Sequence, residues 1–505
     1  MSAAHMLRSA ISDILYLHIF CAACIFSTTN NSANLKMKGV LNMSQLTKEN
    51  PLGTQPLPKL LKTYAVPSII AMVASSLYNI VDQVFIGQGV GYLGNAATNV
   101  AFPLTTICLA IALLIGVGSA SRFSLELGAG EKEHAAVSVG TAFCMMVVCG
   151  LIYAALIQIF LVPLLTIFGA TPDVLPYAES YTRITALGMP LLIITNGMSN
   201  LARADGSPKY SMTCMLVGAV INTILDPLFI FVFNMGVAGA AWATVIGQFF
   251  SFVMAALYLR KFKHVDLKRH HFRLKLHECT KIAALGMSNS LNQLALTFVQ
   301  IVLNNSLTYY GARSIYGSEI PLACCGIVMK TNAILLAVII GISQGSQPII
   351  GFNYGAKKYD RVRGIYKLAI SCNLVISAIG FILFQFFPKQ IISLFGNGDA
   401  LYFEFAVKFM RIFLFMVIVN GCQLLSSNFF AAIGKPIKGV LLSMTRQVIF
   451  LIPLILILPV FFGIEGIMFA GPVADAAAFI TTAIVIKREF THIKKLEADM
   501  QGIQA

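Results

Sequence analysis

Twelve long apolar stretches, separated by short polar connections, constrain this chain more than any other feature. A helix needs about 20 apolar residues to cross the hydrocarbon core of a bilayer. The stretches lie near residues 64–86, 97–120, 135–163, 181–203, 209–233, 238–259, 282–309, 321–345, 364–387, 402–432, 438–461 and 466–486. They are continuous rather than alternating, which argues against a transmembrane β-barrel. The sequence therefore predicts an all-α polytopic membrane protein with twelve transmembrane helices.

The composition excludes the soluble alternatives. Of the 505 residues, 57% are apolar and 11% are charged, whereas soluble domains carry roughly 25% charged residues. A cytosolic enzyme, a disordered protein and a disulfide-rich secreted domain are all inconsistent with these values. The net charge of +15 comes from short basic clusters between apolar runs, which orient a membrane protein. No basic face on a polar domain is evident, so no nucleic-acid partner is expected.

The distribution of basic residues predicts the orientation. Residues 260–281 contain eight Lys or Arg, whereas the connections at 87–96 and 234–237 contain none. Because Lys and Arg are enriched in cytoplasmic connections, the basic connections lie in the cytoplasm. With twelve spans, both termini are then predicted to be cytoplasmic.

The chain also contains an internal duplication. GVGSASRFSLELGAGEK at 116–132 resembles GISQGSQPIIGFNYGAK at 341–357, and NLARADGSP at 200–208 resembles NFFAAIGKP at 428–436. GVAG at 236–239 matches GIEG at 463–466. The offsets are 225, 228 and 227 residues, from the starting positions of each pair. Since each unit has six spans, both halves keep the same orientation, and a parallel repeat is predicted.

This repeat predicts the domain organisation. An N-lobe with helices 1–6 spans residues 51–260, a basic cytoplasmic linker spans 261–278, and a C-lobe with helices 7–12 spans 279–490. Residues 491–505 form a cytoplasmic tail. The first 50 residues are interpreted as an N-terminal extension, which is either a signal peptide or disordered sequence upstream of a true start at Met37 or Met43.

Two such lobes can rock around a central cleft, which favours a transporter. An enzyme is not expected, because HExxH and Walker A motifs are missing from the sequence. No cofactor is expected either. Without an ATPase domain, the energy must come from an ion gradient.

Two acids inside the apolar stretches are candidate coupling residues. Acids are rare there because a charge at the bilayer centre costs about 2.5–3.5 kcal/mol. Asp82 and Asp226 lie at similar predicted depths, and Thr244 lies close to that level. Tyr78 and Asn222 each precede one acid by four residues and so share its helix face. These oxygens can hold Na⁺ or share a proton; alternatively, the acids cap helix ends at the outer surface.

Other polar residues in the spans give weaker predictions. Gln293, Gln300 and Asn332 are candidates for lining the cleft, with interhelical hydrogen bonding as the alternative. Pro67 predicts a kink in the first helix, either a hinge or a fixed bend. Lys330 and Arg411, in spans of the second half, are expected to reach the interface or pair with lipid phosphate, with a role in transport as the alternative. Asp475 in the twelfth span is a candidate partner for either base.

Several motifs together resemble those of the multidrug and toxic compound extrusion (MATE) family, in its bacterial, DinF-like branch. They are PLG at 51–53, YNIVDQVFIG at 78–87, RADG at 203–206, NTILDP at 222–227, GVAGAAWAT at 236–244 and QPIIGFNYG at 347–355. The resemblance implies two six-helix lobes that form a V. It also implies efflux of cationic, amphipathic drugs by antiport with H⁺ or Na⁺ across the bacterial plasma membrane. The implied cation site comprises Asp82, Asn222, Asp226 and Thr244, with Tyr78 and Asn196 nearby.

Two further functions remain as alternatives at this stage. A flippase of polyprenyl-linked sugars shares the fold of this superfamily, but it would need several Arg or Lys for pyrophosphate. A channel or a membrane scaffold would not need paired buried acids. The expected partners are small organic cations and membrane lipids, and a monomer is expected.

Overall fold

The computed structural model describes residues 50–394 and 399–504, and its regular elements there are all helices. Twelve long helical segments follow one another along the chain. They are α1 (Leu57–Gly89), α2 (Tyr92–Ala129), α3 (Lys132–Ile159), α4 (Leu175–Ala204), α5 (Pro208–Pro227), α6 (Gly236–Leu257), α7 (Leu276–Gly311), α8 (Glu319–Gly355), α9 (Tyr359–Phe386), α10 (Ala400–Phe413 and Val417–Ala432), α11 (Pro436–Met444 and Ile452–Phe462) and α12 (Ile464–Gln504). Each overlaps one of the predicted stretches over most of its length, which confirms the all-α membrane fold.

The helices differ in length and hydropathy, and therefore in whether each one alone can span a bilayer. Within the described residues, ten are long and apolar enough by themselves, and the two arms of α10 count as an eleventh although a 50° bend separates them. The remaining helix, α7, is 36 residues long, but its amides lower its hydropathy. The sequence gives one continuous apolar stretch for each of α10 and α11; the structure bends α10 and inserts a π-helical segment, Thr445–Leu451, into α11.

Close helix packing joins the two halves on the side where α1 begins, here called the inner side. A Cβ added to Gly345 of α8 would stand 2.6 Å from the Cα of Ala65 on α1. A Cβ on Gly286 of α7 would stand 1.8 Å from the carbonyl oxygen of Leu114 on α2. Backbones can approach this closely only where a side chain is missing. We call these contacts the glycine seam, which comprises Gly118, Gly128, Gly286, Gly341, Gly345 and Gly355.

Polar side chains reinforce the glycine seam. The guanidinium of Arg203 on α4 donates to the side-chain oxygen of Gln344 on α8 at 3.0 Å. The amide of Gln347, also on α8, donates to the hydroxyl of Ser121 on α2 at 2.7 Å. Both bonds run between the N-terminal and C-terminal halves, so the inner side is closed by direct contact.

Toward the outer side, the hydrophobic core divides. The largest buried cluster includes residues of both halves and extends across the seam. A second cluster draws only on α7–α12, and a small third one, around Ile86, Ile230 and Ala240, draws only on the first half. The halves therefore pack on each other at the inner side and on themselves at the outer side.

The basic linker, residues 261–278, packs against the first half. Asp205, directly after α4, accepts hydrogen bonds from the Tyr258 hydroxyl at 2.7 Å and the backbone N–H of Lys263 at 2.7 Å. Further along, the buried ring of His271 places its Nε2 2.8 Å from a carboxylate oxygen of Glu133 on α3. These contacts hold the linker against the first half.

Two sequence-based expectations concern the ends of the chain. The interpretation of the first 50 residues falls almost entirely on residues 1–49, which lie outside the described residues. The predicted tail is different, because residues 491–504 continue α12. Its helix is tied to α9 by the salt bridge between Arg363 and Glu497 at 2.5 Å.

Candidate functional site

Two buried carboxyl groups meet inside the first half. Asp82 lies on α1, two turns before that helix ends, and Asp226 lies at the end of α5. Their exposed fractions are 7% and 0%. The two carboxyl groups are within hydrogen-bonding reach of each other. Both side chains are therefore withdrawn from the protein surface.

Asn222 and Thr244 form the polar wall beside the acids. The Asn222 amide nitrogen lies 3.2 Å from Oδ1 of Asp226 and 3.2 Å from Oγ1 of Thr244 on α6. The Thr244 hydroxyl in turn donates to the carbonyl of Ala240 at 3.0 Å. Three helices, α1, α5 and α6, therefore converge on one polar group in an apolar interior.

Two tyrosines cover this group. Tyr78 lies one turn before Asp82, and its hydroxyl lies near Thr244. Tyr181 of α4 lies beside both acids and packs against the small apolar cluster around Ile86. Tyr181 was not predicted from the sequence, because it lies in a polar stretch near the start of α4 that resembles a water-facing helix end.

The site has more acceptor oxygens than donors. Asp82 Oδ1, Asp226 Oδ2 and Asn222 Oδ1 are buried and have no hydrogen-bond partner among the described residues. Unpaired buried acceptors are costly, and they are an expected property of a site that takes up a proton or a hard cation. The residues present therefore fit either H⁺ or Na⁺.

Pro227 interrupts α5 beside the acids. The next five residues, Leu228–Val232, form a π-helical turn, a feature that is frequent at functional sites. Because proline has no N–H, the carbonyl of Thr223 loses its helical partner. That carbonyl adds one more oxygen next to Asn222.

Two of the residues selected from the sequence lie elsewhere. Asn196 is 15 residues beyond Tyr181 on α4, or about 22 Å along the helix, and its amide donates to the carbonyl of Leu192 at 3.0 Å. Asn332 is buried, with 7% exposed. It lies nine residues from Gly341, which places it on the opposite face of α8 from the seam.

Gln293 and Gln300 lie on the face of α7 that continues from the seam. They follow Gly286 by seven and fourteen residues, or two and four helical turns. Both are half-buried, and the Gln300 amide donates to the side chain of Asn304 at 2.7 Å. Above the seam this face borders the space between the two halves.

A comparison with known families decides the class of the protein. A family model described as MatE matches residues 67–228 and 291–457, which is more than half of the chain. The chain belongs to the MatE family. The two matched blocks lie one in each half of the internal repeat, so the family model also follows the duplication seen in the sequence.

Curated MatE-type relatives cover most of the chain. The multidrug export protein MepA of Staphylococcus saprophyticus is 26% identical over 437 residues, which are 84% of this chain and 92% of the relative. The probable multidrug resistance protein YoeA of Bacillus subtilis is 24% identical over 396 residues, which are 76% of this chain and 84% of the relative. These matches confirm the resemblance that the motifs indicated.

Solved MatE structures share the fold. The outward-facing conformation of a multidrug resistance MATE family transporter superposes with a TM-score of 0.82 at 22% identity. The match covers 88% of this chain and 98% of that one. A MATE structure in complex with MaL6 also gives a TM-score of 0.82, with 88% and 99% covered. The fold class predicted from the apolar stretches is therefore confirmed.

The charged residues in the second half of this MatE chain have different partners from those expected. Asp475 of α12 pairs with Arg446 of α11, so the expected pairing of Asp475 with Lys330 or Arg411 is wrong. Arg411 donates to the carbonyl of Gln385 at 3.0 Å. Arg446 was not predicted from the sequence, because it lies in the inner part of an apolar stretch, eight residues after Lys438.

Proposed function

We propose that this MatE protein is a secondary transporter that exports cationic, amphipathic organic compounds in exchange for H⁺ or Na⁺. The observation that carries the proposal is the contact between Asp82 and Asp226 in a buried site with three unpartnered oxygens. Family membership supports the transporter class, and the names of the relatives support multidrug export. An enzymatic activity is not proposed.

The carboxyl pair has a physical reason to bind a cation. Two unit charges about 4 Å apart repel by about 4 kcal/mol at an effective dielectric constant of 20. The doubly ionised pair is therefore unfavourable inside the first half unless a cation offsets the repulsion. A shared proton removes one charge, whereas Na⁺ is coordinated by the free oxygens of Asp82, Asp226 and Asn222.

The position of Pro67 supports a hinge in α1. Its neighbours Ala65 and Ile69 are the residues that contact Gly345 and Gly341 in the seam. The inner arm of α1 is thereby held against α8, while the outer arm carries Tyr78 and the site. Since Pro67 removes one helical hydrogen bond, bending is easiest at the junction of the two arms.

Coupling follows from this arrangement. The inner side is closed by the seam, and the halves pack separately toward the outer side, so the described conformation opens outward. Loading of the acid pair with a cation favours inward packing of the outer arm of α1 and a smaller cleft. By linkage, a bound drug then weakens cation binding by the same factor. Alternating exposure of the cleft completes the exchange.

The proposal includes the topology. Residues 51–260 and 279–490 are the two lobes, the basic linker 261–278 joins them in the cytoplasm, and both termini are cytoplasmic. The protein acts as a monomer in the bacterial plasma membrane, because the acids, the hinge and both cleft walls are present in one chain. Small organic cations are the cargo, and H⁺ or Na⁺ is the exchanged ion.

Transport by the purified full chain in liposomes tests this function. Ethidium movement would be followed by fluorescence under a pH gradient alone, a Na⁺ gradient alone, or no gradient. We expect ethidium to move against its own gradient under one of the two ion gradients and not without one. If neither gradient moves ethidium in vesicles that contain folded protein, the antiporter proposal is wrong.

A further inference from the structure

Lys330 is an unpaired positive charge in the middle of α8. It is exposed, and among the described residues no carboxylate lies within the 4.0 Å of an ion pair. It lies eleven residues from the outer start of α8 at Glu319, or about 16 Å along the helix. The four-carbon stem of lysine is shorter than this distance. An ammonium group facing lipid at this depth would be costly, so the expectation that Lys330 reaches a headgroup does not fit its position.

The face of α8 that carries Lys330 points toward the first half. Gly341 lies eleven residues, or three helical turns, beyond Lys330 on the same face, and it packs directly against Ile69 of α1. Above the seam the two halves are separate, and this face therefore borders the cleft. The space beside this face is open, because a Cβ added to Gly326, one turn further out, would meet no atom within 4 Å.

Amides of α7 complete the wall around Lys330. Gln293 and Gln300 lie on the face of α7 that continues from Gly286, which packs against α2 of the first half. Lys330 lies eleven residues outward of Gly341, and the two amides lie seven and fourteen residues outward of Gly286, so all three are above the seam on faces that continue from it. This wall of the second half therefore presents one cation and uncharged hydrogen-bonding groups.

We propose that Lys330 is a specificity-determining residue that binds the acidic group of zwitterionic, amphipathic cargo in the cleft. The inference rests on the proposed export function and extends it to the substrate class. The carboxyl pair in the first half gives that lobe a negative field when it carries no cation, and Lys330 gives the opposite wall a positive one. A compound with an amine at one end and a carboxylate at the other matches both walls. A compound with only a positive charge is attracted by the first half and gains nothing from Lys330.

A matched pair of dyes tests the inference. Rhodamine 110 carries a free carboxylate beside its cationic ring system, and rhodamine 123 is the methyl ester of the same molecule. Their affinities for the full chain in detergent would be measured by fluorescence anisotropy. We expect Lys330→Met to weaken binding of the acid by about tenfold, which corresponds to about 1.4 kcal/mol, and to leave binding of the ester unchanged. Lys330→Arg should retain most of the preference for the acid.

Two controls make the test decisive. Lys487→Met removes an exposed lysine in the inner half of α12 and should change neither affinity. Ester binding by Lys330→Met shows that the variant is folded, and gradient-driven ester transport tests the export function separately. An acid-to-ester affinity ratio that is the same in Lys330→Met and in the wild type overturns the inference. If the variant changes only the amount of bound phosphatidylglycerol, Lys330 holds a lipid phosphate and the inference is also wrong.

Discussion

The amide nitrogen of Asn222 lies 3.2 Å from Oδ1 of Asp226, one turn further along α5. Within the part of the chain that the structure describes, no second donor reaches the Asp226 carboxyl group, and its Oδ2 is buried without a partner. A carboxyl group with one donor, in contact with a second carboxyl group, is poorly satisfied by the protein alone. The transport cycle can therefore use the binding and release of a cation at this carboxyl group.

Replacement of Asp226 by asparagine tests this role. The amide keeps the shape of the side chain but can neither ionise nor share a proton with Asp82. We expect Asp226→Asn to reduce gradient-driven ethidium export at least tenfold at normal expression, with an unchanged or higher melting temperature because a buried charge has been removed. Export is measured in the liposome assay.

The matched control is Asp360→Asn, which changes an exposed acid at the start of α9 and should export normally. Asp82→Asn should behave like Asp226→Asn. Undiminished export by Asp226→Asn would show that the carboxyl pair has no part in coupling.

The glycine seam predicts a conformational effect. A Cβ on Gly345 would lie 2.6 Å from the Cα of Ala65, whereas a Cβ on Gly326 of the same helix meets nothing within 4 Å. Overpacking of this kind costs roughly 1–3 kcal/mol, so Gly345→Ala should favour separation of the halves at the inner side. In a cysteine-free background, a cysteine at Ser346, which is 1% exposed, should then react with maleimide at least fivefold faster. Gly326→Ala should leave the rate unchanged, and equal rates in the two variants would contradict the seam.

The position of the basic linker can be tested by labelling. A single cysteine at the exposed Asp266 in a cysteine-free background should not react with an impermeant maleimide in intact cells. It should react fully in inverted membrane vesicles, because the linker is predicted to lie in the cytoplasm. Rapid labelling in intact cells would reverse the proposed topology.

Asp205 should be important for stability rather than for transport chemistry. Its buried carboxylate accepts bonds from Tyr258 and from the backbone of Lys263, both at 2.7 Å. Asp205→Ala leaves these donors without a partner and should lower the free energy of unfolding by about 3 kcal/mol. The change is measured as a loss of thermal stability in detergent. Asp266→Ala, in the exposed part of the linker, should have little effect, and equal stability of the two variants would contradict the anchoring role.

Much of the fold could be predicted because long apolar runs and their duplication depend only on local sequence. Asp82 and Asp226 could be predicted as a pair since charges inside apolar runs are conspicuous and helical rise gives their depth. Tyr181 could not, because its place in the site depends on how α4 packs against α1. The glycine seam could not be predicted either, since contacts between the two halves produce no periodic pattern in the local sequence. Asn196 was selected by resemblance alone, and the structure places it about four turns from Tyr181.

Competition between drug and cation tests the central claim most directly. Drug affinity would be measured in detergent from pH 6 to 9, with and without Na⁺, for the wild type and Asp226→Asn. If H⁺ is exchanged, wild-type affinity should fall as pH falls; if Na⁺ is exchanged, it should fall as Na⁺ rises, by roughly tenfold for a coupling of about 1.4 kcal/mol. Asp226→Asn should show neither dependence. A wild-type affinity that responds to neither ion, with Asp226→Asn binding drug as the wild type does, would contradict the antiport mechanism.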